Sequence, residues 1–456
     1  MRSCGPVHPA ARHRLGFILG SRNRGRARWA HRIPEHLPAP SVRAAPPPNQ
    51  AVEFPQLKPL FVLILFTLFN HVTFCAARML APLNALALGV GSFTIGLMLS
   101  MVGLVAMVGS VHLGRWVDRN DVYRPMLIST IGIGVAMAVP ALWQDVGALF
   151  ILCLLSGAFW NVCYFATLHA LGLSGTSEEK LNNFAIHSAM LSISNFLGPV
   201  LTGLLIDQGG FRVAACVLAL FPLVPAIGLI TRRVPVPRAA HPSVAPPVRY
   251  DNDRTDRKAK RGSALALLGH PTLRGMYYVS MLAQGIWNMY LFLLPAHLAA
   301  AGVSATAIGI LLGWFALASI AVRVATSWIA ARCARWTIML WCMIFSTLAL
   351  AALPLSAAML PQMVIAAVLG TTLGIAGPVS LSLLNDAAPR DRAGEALGLR
   401  VTLLAGVQTV GPILAGVAAP SGGFGAAFVA MAVTCAIGVW VAAGHWRRER
   451  PAATRS

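Results

Sequence analysis

From Leu57 onward, apolar runs of 20 or more residues alternate with short polar breaks. A helix needs about 20 apolar residues to cross the ~30 Å hydrocarbon core of a bilayer. Only helices and closed barrels can satisfy their own backbone groups there. These runs are therefore read as membrane-spanning helices. They are expected at roughly 57–80, 92–113, 124–143, 146–173, 182–207, 211–231, 272–298, 305–329, 335–357, 361–386, 394–419 and 423–446. Composition agrees. Of the 456 residues, 57% are hydrophobic and 11% charged, against ~25% charged in soluble domains. An ordinary soluble enzyme and a disordered protein are both excluded.

The net charge of +21 would otherwise point to nucleic acid. Its distribution does not. Residues 1–58 and 232–274 hold ten basic residues each, in Pro-rich stretches without apolar periodicity. An even number of spans puts both termini on one side. The tails, the central loop and the other loops of that side hold 34 of the 36 Lys and Arg, leaving only Arg78 and Arg212. The positive-inside rule makes that side cytoplasmic. The expected layout is a disordered basic tail over 1–56, a six-helix bundle over 57–231, a cytoplasmic linker over 232–271, a second bundle over 272–446 and a tail over 447–456. No nucleic-acid partner is expected; the bilayer is. Arg far outnumbers Lys, and Ala and Gly abound, as in a GC-rich genome. A bacterial inner (plasma) membrane is the expected location. The eight cysteines are scattered without metal-type spacing, so neither disulfides nor a metal site are expected. There is no P-loop for ATP, and no cofactor is expected.

The two halves match at one constant offset of 213 residues, without gaps between 82 and 211. Pro82, Gly89, Val90, Ile95 and Gly96 become Pro295, Gly302, Val303, Ile308 and Gly309. Arg119 becomes Arg332. Gly198, Pro199 and Gly203 become Gly411, Pro412 and Gly416, and Gly209-Gly210-Phe211 becomes Gly422-Gly423-Phe424. Repeats in a membrane protein point to a transporter with its site between the repeats, near the midplane.

The loop after the second span reads Gly114-Arg115-Trp116-Val117-Asp118-Arg119, followed by Arg124 and Leu127. This resembles motif A of the major facilitator superfamily. The run from Gly198-Pro199 to Gly203 resembles the antiporter motif C of its exporters. The resemblance covers about residues 57–446. It implies twelve transmembrane helices in two six-helix bundles related by a pseudo-two-fold axis along the membrane normal, and a non-enzymatic transporter. Gly114, Asp118, Arg119 and Arg332 would then form the cytoplasmic gate. Gly198, Pro199, Gly203, Gly411, Pro412 and Gly416 would serve close packing and gating. Departures are Asp121 and Val122 in motif A, Ser327 and Ala331 in its second copy, and Cys153 at the position of the motif B Arg.

No Asp or Glu lies clearly inside an expected span; Asp145 and Asp207 fall at external ends and the others at cytoplasmic ends or in loops. Polar groups within the spans form repeat-related pairs instead: His71 with Gln284, His187 with Arg400, and Asn195 with Gln408. Burying such groups against lipid is costly, so they are expected to face a cavity. His71, Cys75 and Arg78 share one helical face. The family implies that spans one and seven line the central cavity, which selects His71, Arg78, Gln284 and Asn288, with Asn161 as a further candidate. For each the alternative is a helix–helix hydrogen bond, and for Arg78 also snorkelling to the interface.

The expected function is secondary active transport of a small organic molecule by alternating access, as proton-coupled efflux, by a monomer. His71 is the candidate proton carrier, since imidazole titrates near ~6.5. An alternative is uptake or exchange of an anionic metabolite, drawn by Arg78 and the histidines. Another is a membrane sensor or partner-docking protein that no longer transports.

Overall fold

The computed structural model describes residues 57–120, 122–173, 177–231, 264–389, 392–418 and 423–449. Among them the regular structure is entirely helical. The helices are α1 (Leu57–Ala87), α2 (Ser92–Arg119), α3 (Tyr123–Leu142), α4 (Val146–Leu173), α5 (Ser177–Leu220), α6 (Leu223–Ile230), α7 (Pro271–Ala300), α8 (Ala305–Arg332), α9 (Arg335–Ala352), α10 (Met359–Ala387), α11 (Ala393–Ala418) and α12 (Gly423–Glu449). Among the described residues, ten helical stretches are long and apolar enough to cross a membrane. One of these, Asn182–Ile230, has 49 residues, about 74 Å at 1.5 Å per residue and too long for one crossing. It is interrupted at Gly210, whose φ of 74° is open to glycine without strain. The expected tail over 1–56 and most of the linker over 232–271 lie outside the described residues.

Several boundaries move from their expected places. Helix α1 continues past 80, through Pro82, to Ala87. A proline within a span is tolerated where neighbouring helices cover the carbonyl it frees. Helix α2 runs to Arg119, and Asn120 caps it, its side chain donating to the Trp116 carbonyl at 2.6 Å. Motif A was expected in a loop. It lies instead on the last turns of α2, because nothing between Arg115 and Arg119 breaks a helix.

The packing obeys the 213-residue repeat residue by residue. Among the described residues, the glycines with positive φ are Gly89, Gly210, Gly302 and Gly423, two repeat pairs. Gly157 lies against the Val102 backbone, and its counterpart Gly370 against that of Phe315, the counterpart of Val102. Thr67 Oγ1 donates to Thr167 at 3.5 Å, and the corresponding Ser280 donates to Ser380 at 3.4 Å. The Gly370–Gly374 pair packs α10 on α8, the default for small-residue spacing.

The buried core is apolar in both halves, from Leu80, Ile95 and Leu152 to Tyr290, Phe315 and Phe428. A second cluster joins α1, α3 and α4 through Phe66, Met126 and Cys163. Large apolar side chains are also widely exposed, among them Leu142, Val324, Leu360 and Trp440. A surface of that kind fits lipid rather than water.

Candidate functional site

One end of the molecule is shut by direct backbone contact between the halves. A Cβ at Gly96 of α2 would strike the carbonyl oxygen of Pro412 in α11, and one at Gly309 of α8 would strike that of Pro199 in α5. Gly203 lies on the Ala305 backbone, and Gly416 lies with Ser92 O at 2.8 Å from its Cβ position. These are again two repeat pairs, and they include motif C. Any side chain there would hold the helices apart. Gly198 has a different neighbour, the α1 backbone and Cys75. A carboxylate adds a clasp to one of the two crossings. The Ala305 N–H donates to Asp207 Oδ1 at 3.1 Å and the Thr306 N–H to Oδ2 at 2.7 Å. Asp207 therefore caps the N-terminus of α8 from the other half, where a negative charge is favoured.

Inside that seal, the halves enclose a cavity of about 520 Å³. All five residues expected in the cavity, His71, Arg78, Asn161, Gln284 and Asn288, line it. So do Asn195, Arg400 and Gln408 of the polar pairs. His187 does not: it is buried beside the Tyr164 ring, 6.0 Å away, and its Nε2 has no hydrogen-bond partner among the described residues. Ser188 and Arg323 line the cavity yet are exposed, so it is reached from the end opposite the glycine seal.

Three arginines converge on this space. Arg78 Nη2 donates to Asn288 Oδ1 of the other half at 3.4 Å, and the guanidinium lies 4.6 Å from the Phe292 ring centre. Its side chain is thus turned inward, not toward the interface. The Arg78 Nε is buried without a partner among the described residues. Arg400 donates from Nε to Ser280 Oγ at 3.0 Å and from Nη2 to Ser380 Oγ at 3.1 Å. It forks into the hydroxyl pair whose first-half counterpart is Thr67–Thr167. Arg323 Nη1 donates to Ser192 Oγ at 3.4 Å and its guanidinium lies 5.7 Å from the Trp287 ring centre. No Asp or Glu is among the described residues that line the cavity. Among the described residues the arginines are held by neutral groups only: one amide, three hydroxyls and aromatic faces.

Arg323 is the main residue that sequence reasoning misplaced. Counted with the cytoplasmic loop charges, it lies nine residues, about two and a half turns, before the end of α8. Trp160, Trp287 and Tyr164 were not singled out either. The Trp160 ring stands 4.4 Å from His71 and 5.3 Å from Phe74, an aromatic wall facing the arginines. Aromatics in an apolar span carry no signal that separates a cavity wall from a lipid face. Cys75 Sγ lies between His71 and Asn195, 3.6 Å from His71 Nε2 and 3.4 Å from Asn195 Oδ1.

The motif A positions lie at the other end. The side chains of Gly114, Asp118 and Arg119 are outside the described residues. Arg332, the counterpart of Arg119, lies over its own neighbour Trp328 at 4.1 Å and donates to the Trp328 carbonyl. Nearby, Arg335 pairs with Asp386, tying α9 to α10.

The chain belongs to the Major Facilitator Superfamily, whose family model matches residues 63–298 and 276–456. It is an integral membrane transporter and not an enzyme. Among curated proteins it is 27% identical over 164 residues to a Deinococcus radiodurans protein named "Putative sugar efflux transporter", covering 35% of this chain and 42% of that relative. The match thus spans less than half the length of that relative. Among solved structures, a bacterial homolog of the human lysosomal transporter Spinster, inward-facing and unoccupied, superposes with a TM-score of 0.68 at 14% identity. It covers 86% of this chain and 98% of its own. The nucleoside transporter NupG gives 0.66 at 13% identity, covering 84% and 99%. At these identities the likeness is one of fold.

Proposed function

We propose that the chain exports a small hydroxylated organic anion by alternating access. One observation carries this reading: Arg78, Arg323 and Arg400 line a single cavity that no carboxylate lines among the described residues. A guanidinium presents a planar fork suited to carboxylate or phosphate oxygens. The orphaned Nε of Arg78 costs about 1–3 kcal/mol or more while it stays unpaired. An anionic oxygen would remove that cost. The amides of Asn161, Asn195, Gln284, Asn288 and Gln408 suit the hydroxyls of a sugar-like molecule. Outward direction is supported by the motif C resemblance and by the name of the Deinococcus relative. In this reading twelve spans arise from α1, two crossings within Asn182–Ile230 and the other helices, in bundles over 57–231 and 272–446, with both termini cytoplasmic.

The direct test compares two ligands that differ by one carboxylate. Glucuronate and glucose are titrated against the purified protein, following thermal stability. A ligand confined to the folded state stabilises it by about 2.7 kcal/mol at 100 Kd. Glucuronate is expected to stabilise and glucose to do so far less. Equal stabilisation by both, unchanged in Arg78→Gln, would sink the reading.

Proton coupling through His71 is a second reading, supported by its place on the cavity wall. An exported anion does not require it. An inside-negative membrane drives each negative charge outward by about 2.3 kcal/mol per 100 mV. If His71→Gln abolishes flux driven by a pH gradient but not by potential, His71 carries the proton.

A further inference from the structure

A second groove lies on the outer surface, where α7 begins and α12 ends, with a volume of about 610 Å³. Arg274, Arg447 and Arg448 form its mouth, with Trp440 and Tyr278 beside them. Gly275 lacks a side chain at the groove floor, and the His445 ring occupies the space a Cβ would need. That ring is held by stacking on Trp336, centroids 4.3 Å apart. At Tyr278 the groove meets a second one of about 310 Å³, lined almost wholly by apolar side chains of α7, α11 and α12 down to Met289. From Arg274 to Met289 α7 rises about 22 Å. One leaflet of hydrocarbon is about 15 Å deep. A basic mouth at the interface and an apolar crevice reaching into the leaflet thus share one wall.

We propose that this groove binds an anionic phospholipid, its phosphate among Arg274, Arg447 and Arg448 and one acyl chain in the crevice below Tyr278. Basic pockets between helices near the membrane surface take anionic headgroups. A free phosphate would use the mouth alone. The apolar crevice, exposed at Leu414 and Ala430, makes an amphiphile the fitting occupant. This site is separate from the central cavity and stands or falls independently of the substrate.

Native mass spectrometry of the full chain in detergent tests it, with phosphatidylglycerol, phosphatidylcholine and inorganic phosphate as probes. Phosphatidylglycerol is expected to bind in preference to phosphatidylcholine. Replacing Arg274, Arg447 and Arg448 together by Gln should weaken it roughly 100-fold, about fivefold per arginine. Ala430→Trp, which fills the crevice, should weaken the lipid at least tenfold and leave inorganic phosphate unaffected. Equal retention of the two lipids by the unaltered protein would overturn the proposal. So would phosphate competing as tightly as lipid with no effect of Ala430→Trp. If the triple variant does not fold, Arg274→Gln alone, at an exposed site, reads the same preference.

Discussion

Arg78 is the residue on which the proposed transport site turns. It sits on α1 yet bonds Asn288 on α7, so it senses both halves at once. Truncating one member of a buried charged hydrogen-bond pair costs about 2 kcal/mol or more. Arg78→Gln is therefore expected to raise the Kd of an anionic ligand about 30-fold, measured by calorimetry with glucuronate. An unchanged Kd would make Arg78 structural. Arg400 reaches two serines through a fixed fork. A lysine is a point charge and cannot reproduce that fork. Arg400→Lys should keep some anion binding and Arg400→Gln should lose more, and equal affinities in both would remove Arg400 from the site. Arg78 was legible in the sequence because a lone charge in an apolar run is conspicuous. Arg323 was not, because a charge near the expected end of a span looks like a loop residue.

At the scale of elements, the closed end rests on two crossings, α2 on α11 and α5 on α8. Both are made of backbone, so their geometry leaves no slack. Gly203→Leu places a side chain where Ala305 lies. The protein should still fold but fail to close there, and transport should stop. The check is the distance between spin labels at the seal end of α5 and of α8, which should widen. Asp207 contributes a different kind of contact, two charge-assisted bonds to the start of α8. Capping bonds of this type are worth about 1–2 kcal/mol. Asp207→Ala should shift the equilibrium toward the state open at this end by about 5- to 30-fold, read from the same labels. Closed populations that stay the same would show the clasp to be incidental. The repeat position of Asp207 is Pro420, so the sequence offers no matching acid for the other crossing.

At the scale of the whole molecule, the proposed function links the cavity to the membrane potential. In proteoliposomes, a potential of 100 mV, negative inside, should hold a monoanion at about a 50-fold gradient, since that potential is worth about 2.3 kcal/mol per charge. Flux indifferent to potential would favour a neutral substrate or strict proton balance. Removing residues 1–54 should leave flux and melting temperature unchanged, because the cavity and its seal are built from later residues. Loss of flux on that deletion would favour a sensing or docking role for the basic tail.

The sequence by itself determined the helical membrane fold and the family. It also set the repeat, and with it which glycines are equivalent in the two halves. Each of these is local or periodic: the cost of a polar group in lipid is charged residue by residue, and a fixed offset survives any folding. Tertiary structure decided where helices end and which way their polar faces turn. Helix α1 passed Pro82 because neighbouring helices cover the carbonyl it frees. The same packing brought Arg78, Arg323 and Arg400, from three different helices, to one space. Convergence of that kind depends on helix rotation and crossing, which are set by contacts between segments far apart in the chain.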